Sequence, residues 1–167
     1  MFQKCSALNN INNIKIKGWL PSYALLEMFK ECTNLENINY TNIELYINGE
    51  GVCRSMFIGC TRLANVSKLY IRGNLGKECC YEMFKNCANL TTPPTDYFKR
   101  NIYPESCYYA MFSGCSKLAK IEDMKTISDS GGSIQFMRNC FAYMFYDCRL
   151  LHVHWKGIKG NFSNNSC

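Results

Sequence analysis

The side chains most able to do chemistry are twelve cysteines in a chain of 167 residues. As thiolates, cysteines attack electrophiles or hold soft metals, and as pairs they cross-link. Their spacing decides among these roles. A structural metal site wants paired ligands such as C-x-x-C, and none occurs. Cys79 and Cys80 are adjacent and cannot act as that pair. Only two histidines exist, His152 and His154, beside Trp155. Residues two apart on a strand share a face, so they could meet, but no further ligands stand near them in the chain. A Cys–His couple could form only near Cys148. The G-x-S-x-G, H-E-x-x-H, phosphate-loop and dinucleotide fingerprints are all missing. No catalytic residue, metal or cofactor is therefore assigned, and the expectation is a protein that is not an enzyme.

The cysteines become intelligible through what surrounds them. Cys5, Cys32, Cys60, Cys87, Cys115 and Cys148 each sit in the phrase M-F-x-x-C-x-x-L: MFQKCSAL, MFKECTNL, MFIGCTRL, MFKNCANL, MFSGCSKL and MFYDCRLL. The copies start at Met1, Met28, Met56, Met83, Met111 and Met144, at steps of 27, 28, 27, 28 and 33 residues. A fixed period in the twenties marks coils stacked one on the next. The six cysteines should form a column of small buried side chains about one strand spacing apart. In-register side chains point the same way, which works against the disulfide dihedral. Cys53, Cys79 or Cys80, Cys107 and Cys140 form a second column; Ala24 and Leu25 hold the equivalent places in the second copy, so this too is a packing position. Cys167, in the polar tail NFSNNSC, is the thiol expected to be exposed.

The elements carrying these columns follow from periodicity. Cys53, Met56, Phe57 and Cys60 have the spacing that puts four side chains on one face of a short helix. Three residues after each Met stand Gly59, Gly114, Asn86 or Asp147, types that tolerate the left-handed conformation ending a helix. Lys4 and Glu31 give a weaker signal at the same place. Apolar residues then follow at steps of three, as in Leu63, Val66 and Leu69, read as a short strand running into a bend. A second, alternating segment comes next: IKIKG from Ile14, IELYING from Ile43 and LYIRG from Leu69. Each turn is thus helix, bend, strand, loop and second short strand. One turn cannot bury its apolar face alone, so stability belongs to the array.

The phrase and its step resemble the BspA-type leucine-rich repeats, which usually read A-F-x-x-C-x-x-L; here Met replaces Ala throughout. The resemblance covers Met1 to about Trp155. It implies an α/β solenoid, a right-handed superhelix of five to six turns, each with a short helix and short parallel strands. The solenoid would fill residues 1–157, with a cap or tail at 158–167. Such repeats occur in bacterial and protist surface proteins and in phage proteins. The resemblance therefore implies a non-catalytic recognition or adhesion module that binds a protein or glycan through its strand face. The alternative it implies is a structural or accessory phage protein using the same surface for assembly. Location follows the same fork: cell surface or secreted, or virion.

On the strand face, outward residues vary from turn to turn while the core does not. Candidate binding residues there are Tyr40, Lys68, Lys120, Asp123, His152 and Trp155. The fifth turn is longer, and its extra length falls in SDSGGS from Ser128 to Ser133, a composition that reads as a protruding loop; Ser130 and Gly131 are candidates on it. Pro93-Pro94 interrupts the strand position of the fourth turn, where a continuous ladder must break. The net charge is +6, but the cations are scattered and no dense basic run exists, so nucleic acid is not an expected partner. No run of 18 apolar residues is present, so no membrane span is expected. The first phrase begins at Met1 with no capping turn, which predicts self-association or a neighbour covering that end.

Overall fold

Amide hydrogen bonds divide in a way no helix permits. In the second copy, the N–H groups of Ala24, Leu26, Met28, Lys30 and Cys32 donate to carbonyls three residues back, at 3.1–3.2 Å. The alternate N–H groups, those of Tyr23, Leu25, Glu27, Phe29 and Glu31, donate to Glu50, Val52, Arg54, Met56 and Ile58 of the next coil, at 2.8–3.0 Å. The same division recurs from Gly51 to Cys60, from Glu78 to Cys87 and from Ser106 to Cys115. Each phrase is therefore a row of overlapping β-turns, with half its donors directed along the chain and half to the neighbour. In every one of these bonds between phrases the earlier coil donates and the later accepts.

The computed structural model describes residues 1–38, 43–94, 102–121, 135–151 and 161–162. Among them there is no helix, only short strands and turns. This corrects the expected α/β solenoid with a helix in each turn. An α-helix uses its interior N–H groups on its own carbonyls and would leave none for the coil alongside. The buried side chains also explain the misreading. Val52 and Cys53, Met56 and Phe57, then Cys60 are buried, as are Cys79 and Cys80, Met83 and Phe84, then Cys87. That is a period of four, and across eight residues it places apolar side chains at the same i, i+3, i+4, i+7 positions as a helix.

The four-residue period also appears in the backbone. Tyr23, Glu27 and Glu31 have φ of 58°, 53° and 57°; Gly51, Ser55 and Gly59 have 55°, 52° and 72°. Alternate turns are thus of the kind that requires a left-handed third residue. The six positions read as helix stops (Lys4, Glu31, Gly59, Asn86, Gly114 and Asp147) all have positive φ. At Gly59, Asn86, Gly114 and Asp147 the conformation is as the residue types indicated, and Lys4 and Glu31 share it; it belongs to a turn row and, from the second copy on, recurs four and eight residues earlier.

Across the coil lie the strands: β1 (Trp19–Leu20), β2 (Glu44–Ile47), β3 (Tyr70–Gly73), β4 (Ile102–Tyr103), β5 (Gln135–Phe136) and β6 (Asn161–Phe162). They form two three-stranded parallel sheets, β1-β2-β3 and β4-β5-β6. Tyr46 pairs with Trp19 on one side and Arg72 on the other, and Tyr103 pairs with Phe136. β2 and β3 lie within the alternating segments IELYING and LYIRG, and β1 directly follows IKIKG. The other expected strand shrinks to single parallel bridges, Asn10 to Asn37, Asn37 to Asn65 and Asn65 to Thr92. Its step of three reflects turns, since Leu63 N–H bonds to Cys60 and Leu69 N–H to Val66.

Between phrases and strands runs the core. Phe2, Phe29, Phe57, Phe84, Phe112 and Phe145 stack in one column, with centroids 5.3–5.9 Å apart and planes within 10°. Leu45, Ile47 and Ile71 close it from the strand side.

Candidate functional site

The described cysteines are unbridged, and all but Cys5 are buried. From the second copy on, each phrase thiol donates to the carbonyl of the preceding phrase's Phe: Cys32 to Phe2, Cys60 to Phe29, Cys87 to Phe57, Cys115 to Phe84 and Cys148 to Phe112, at 2.8–3.2 Å. Those carbonyls already accept the N–H of the cysteine three residues on. The thiol thus supplies a second, weak donor between coils while filling the volume of a small apolar group. Burial pushes the Cys60 thiol up to about 12 and Cys148 to about 11, and raises Cys53, Cys80, Cys87, Cys107 and Cys115 as well. These groups stay protonated at neutral pH, which suits a donor and disables a nucleophile.

The second cysteine column proves to be two. Phe57 aligns with Phe84, and Cys53 N–H bonds to Cys79 just as Phe57 N–H bonds to Met83. Cys53 is therefore level with Cys80, while Cys79 is level with Val52, Cys107 and Cys140. The Cys79 thiol donates to the Cys80 sulfur at 3.7 Å, with no disulfide between them. Cys167 and the histidines lie outside the described residues, and of the tail only Asn161 and Phe162 are described; among the described residues no cluster of three potential metal ligands occurs.

Of the candidate binding residues, Lys68 and Lys120 are described and both are exposed. Lys68 follows a turn in which the Asn65 carboxamide oxygen accepts from Ser67 N–H at 3.0 Å and Ser67 Oγ at 2.8 Å. Lys120 lies two coils further on, so the pair is about 10 Å apart along the stack. The fold does not bring them together. Tyr40, Asp123, Ser130, Gly131, His152 and Trp155 fall outside the described residues.

A more concentrated face was missed by placing recognition on the other strand. In β1, β2 and β3 the residues alternate: Leu45, Ile47 and Ile71 point to the core, while Trp19, Tyr46, Tyr70 and Arg72 remain at least partly open. Trp19 is 69% exposed and its ring lies 5.7 Å from that of Tyr46, tilted by 55°. Arg72 follows Tyr46 in the same row, and Glu44 pairs with Tyr70 in the row beside it. Lys17 is exposed one residue after the bridge from Ile16 to Ile43, level with Glu44. The period of two in IKIKGWL, IELYI and LYIRG was the available signal. A second outward row, Arg54, Tyr81 and Tyr109, is self-covering: the guanidinium lies 4.4 Å over Tyr81, whose ring stacks on Tyr109 at 4.7 Å.

Comparison with known proteins yields no matching family model, curated protein or solved structure. The leucine-rich-repeat resemblance rested on the phrase and its step; the helix-bearing turn it implied is not formed by the described residues, and no relative supports the leucine-rich-repeat or phage-component description. Among the described residues no helix is long and apolar enough to cross a membrane.

Proposed function

We propose that the protein is a non-catalytic recognition module that binds a protein or glycan through the outward faces of its stacked coils. The carrying observation is the outer face of β1, β2 and β3. There a largely exposed tryptophan, two tyrosines and an arginine stand on strands whose other side packs against the core through Leu20, Leu45, Ile47 and Ile71. Exposed aromatics held by a rigid backbone are the usual anchors of binding surfaces, because little side-chain freedom is lost on contact. The reading gains support from the interior, where buried, protonated thiols serve packing and donation rather than reactivity. Lys68 and Lys120 would lie at the margin of such a surface.

The test is binding of the purified chain to arrays of glycans and of extracellular proteins, repeated with Trp19→Ala and with Lys68→Ala. A ligand lost with Trp19→Ala and weakened by Lys68→Ala is the expected result. An array without a single specific ligand, or ligands indifferent to Trp19→Ala, would overturn the proposal.

A further inference from the structure

Resting on that recognition reading, the chemistry of the face narrows the ligand. We propose that the outer face of β1–β3 binds a carboxylate-bearing polysaccharide, with Arg72 holding the carboxylate and Trp19 and Tyr46 holding the sugar faces.

Three observations lead there. First, the row Trp19, Tyr46, Arg72 runs straight across three parallel strands in register, which spans about 10 Å. A linear sugar chain laid across the strands meets an aromatic ring, a second ring and a guanidinium in turn. The C–H faces of a pyranose suit aromatic rings, while its hydroxyls suit the phenol groups of Tyr46 and Tyr70. Second, Arg72 is exposed and has no ion-pair partner among the described residues, whereas Arg54 and Arg62 are each paired with a glutamate. An unpaired guanidinium presents its planar fork to a carboxylate with two parallel N–H donors. Third, the local charge selects an anion of low density. Lys17 and Arg72 outnumber Glu44, and the chain as a whole carries +6. Glu44 occupies the other row, beside Tyr70, so it repels a carboxylate from that row and leaves the Arg72 end as the place for it.

A single-stranded nucleic acid also uses aromatic stacking and cations, but it needs a basic groove that tracks a continuous row of phosphates. Here a carboxylate interrupts the cations, and the two rings are tilted by 55° rather than parallel.

The experiment compares four probes by calorimetry at low and at physiological salt: a uronic-acid hexasaccharide, its carboxyl-reduced form, a neutral glucan of equal length, and an eight-nucleotide single strand. The uronic-acid chain is expected to bind at least about tenfold more tightly than its reduced form, and to weaken with salt. Arg72→Gln should abolish that difference, Arg72→Lys should restore only part of it, and Trp19→Ala should weaken the acidic and reduced chains alike. Both positions are exposed, and melting curves of the variants check that the fold persists. Equal affinity for acidic and reduced chains, both dependent on Trp19, would overturn the carboxylate assignment while leaving recognition intact. So would tighter binding of the oligonucleotide. Acidic binding indifferent to Arg72→Gln would overturn the face. If all four probes fail but a protein ligand dependent on Trp19 emerges from the arrays, the glycan class falls and the recognition module stands.

Discussion

The two sides of the coil stack treat continuity differently. On the turn side, six phenylalanines stack without a gap from Phe2 to Phe145, and the bonds between phrases follow them. On the strand side, the described pairing involves only runs of two to four residues, in the sheets β1-β2-β3 and β4-β5-β6. The long fifth step leaves register intact on both sides: Phe112 stacks on Phe145, and Tyr103 pairs with Phe136, although 33 residues separate each pair. Register is therefore set where side-chain stacking and backbone bonding coincide.

Mutation of each side should show the contrast. The largest effect is expected from Phe57→Ala, at about 3–5 kcal/mol, since it removes the centre of the stack; amide exchange should rise in phrases on both sides. Loss of protection confined to one coil would show that the column is not a cooperative unit. Gly73→Ala should cost about 2–3 kcal/mol, because φ is +85° and a Cβ would lie 2.4 Å from the Ile47 carbonyl oxygen. Its damage should stay within β2 and β3, with the phrase amides still protected in hydrogen exchange.

Alkaline pH probes the turn side through its thiols. Their folded-state pKa values are raised, so the stability they contribute is complete below about pH 9 and falls as pH rises toward 12, where Cys60 itself titrates. Each such thiol should contribute a slope of about 1.4 kcal/mol per pH unit in that window. Denaturation midpoints between pH 8 and 11 would measure it, and Cys60→Ala should flatten the curve by one thiol's share. An unchanged slope would mean that Cys60 is accessible to water. The smallest expected effect is the most diagnostic. Ala110 has φ of +48°, so Ala110→Gly should be neutral or stabilising by up to about 1 kcal/mol. In a helix the same change costs about 1 kcal/mol, so a lowered melting temperature would argue for the helical turn.

Much of this organisation was legible. The phrase gave the stacking, the register and the buried column of thiols, because identical neighbours in a stack must repeat. Positive φ was readable at Gly59, Asn86 and Gly114 from residue type. It was not readable at Ser55 or Glu82, where 52° is held by bonds to the next coil rather than by any local preference. Helix and turn row could not be separated, because Cys53, Met56, Phe57 and Cys60 satisfy both periods over so short a phrase. The face of Trp19, Tyr46 and Arg72 was legible in its alternation, but only pairing shows that these three residues share a row. The split of Cys53 from Cys79 likewise needed the register.

The one-way direction of the bonds between phrases has an electrical consequence. Each peptide group that bonds one phrase to the next carries a dipole of about 3.5 D, and with the earlier phrase always donating, these contributions add, offset in part by bonds such as Glu36 N–H to Asn9 and Thr91 N–H to Ala64 that run the other way. The turn rows thereby acquire a polarity of the kind helices have, negative toward the coil of Phe2 and positive toward that of Phe145. Cations are favoured at the former end and anions at the latter, and the molecule should orient measurably in an applied electric field.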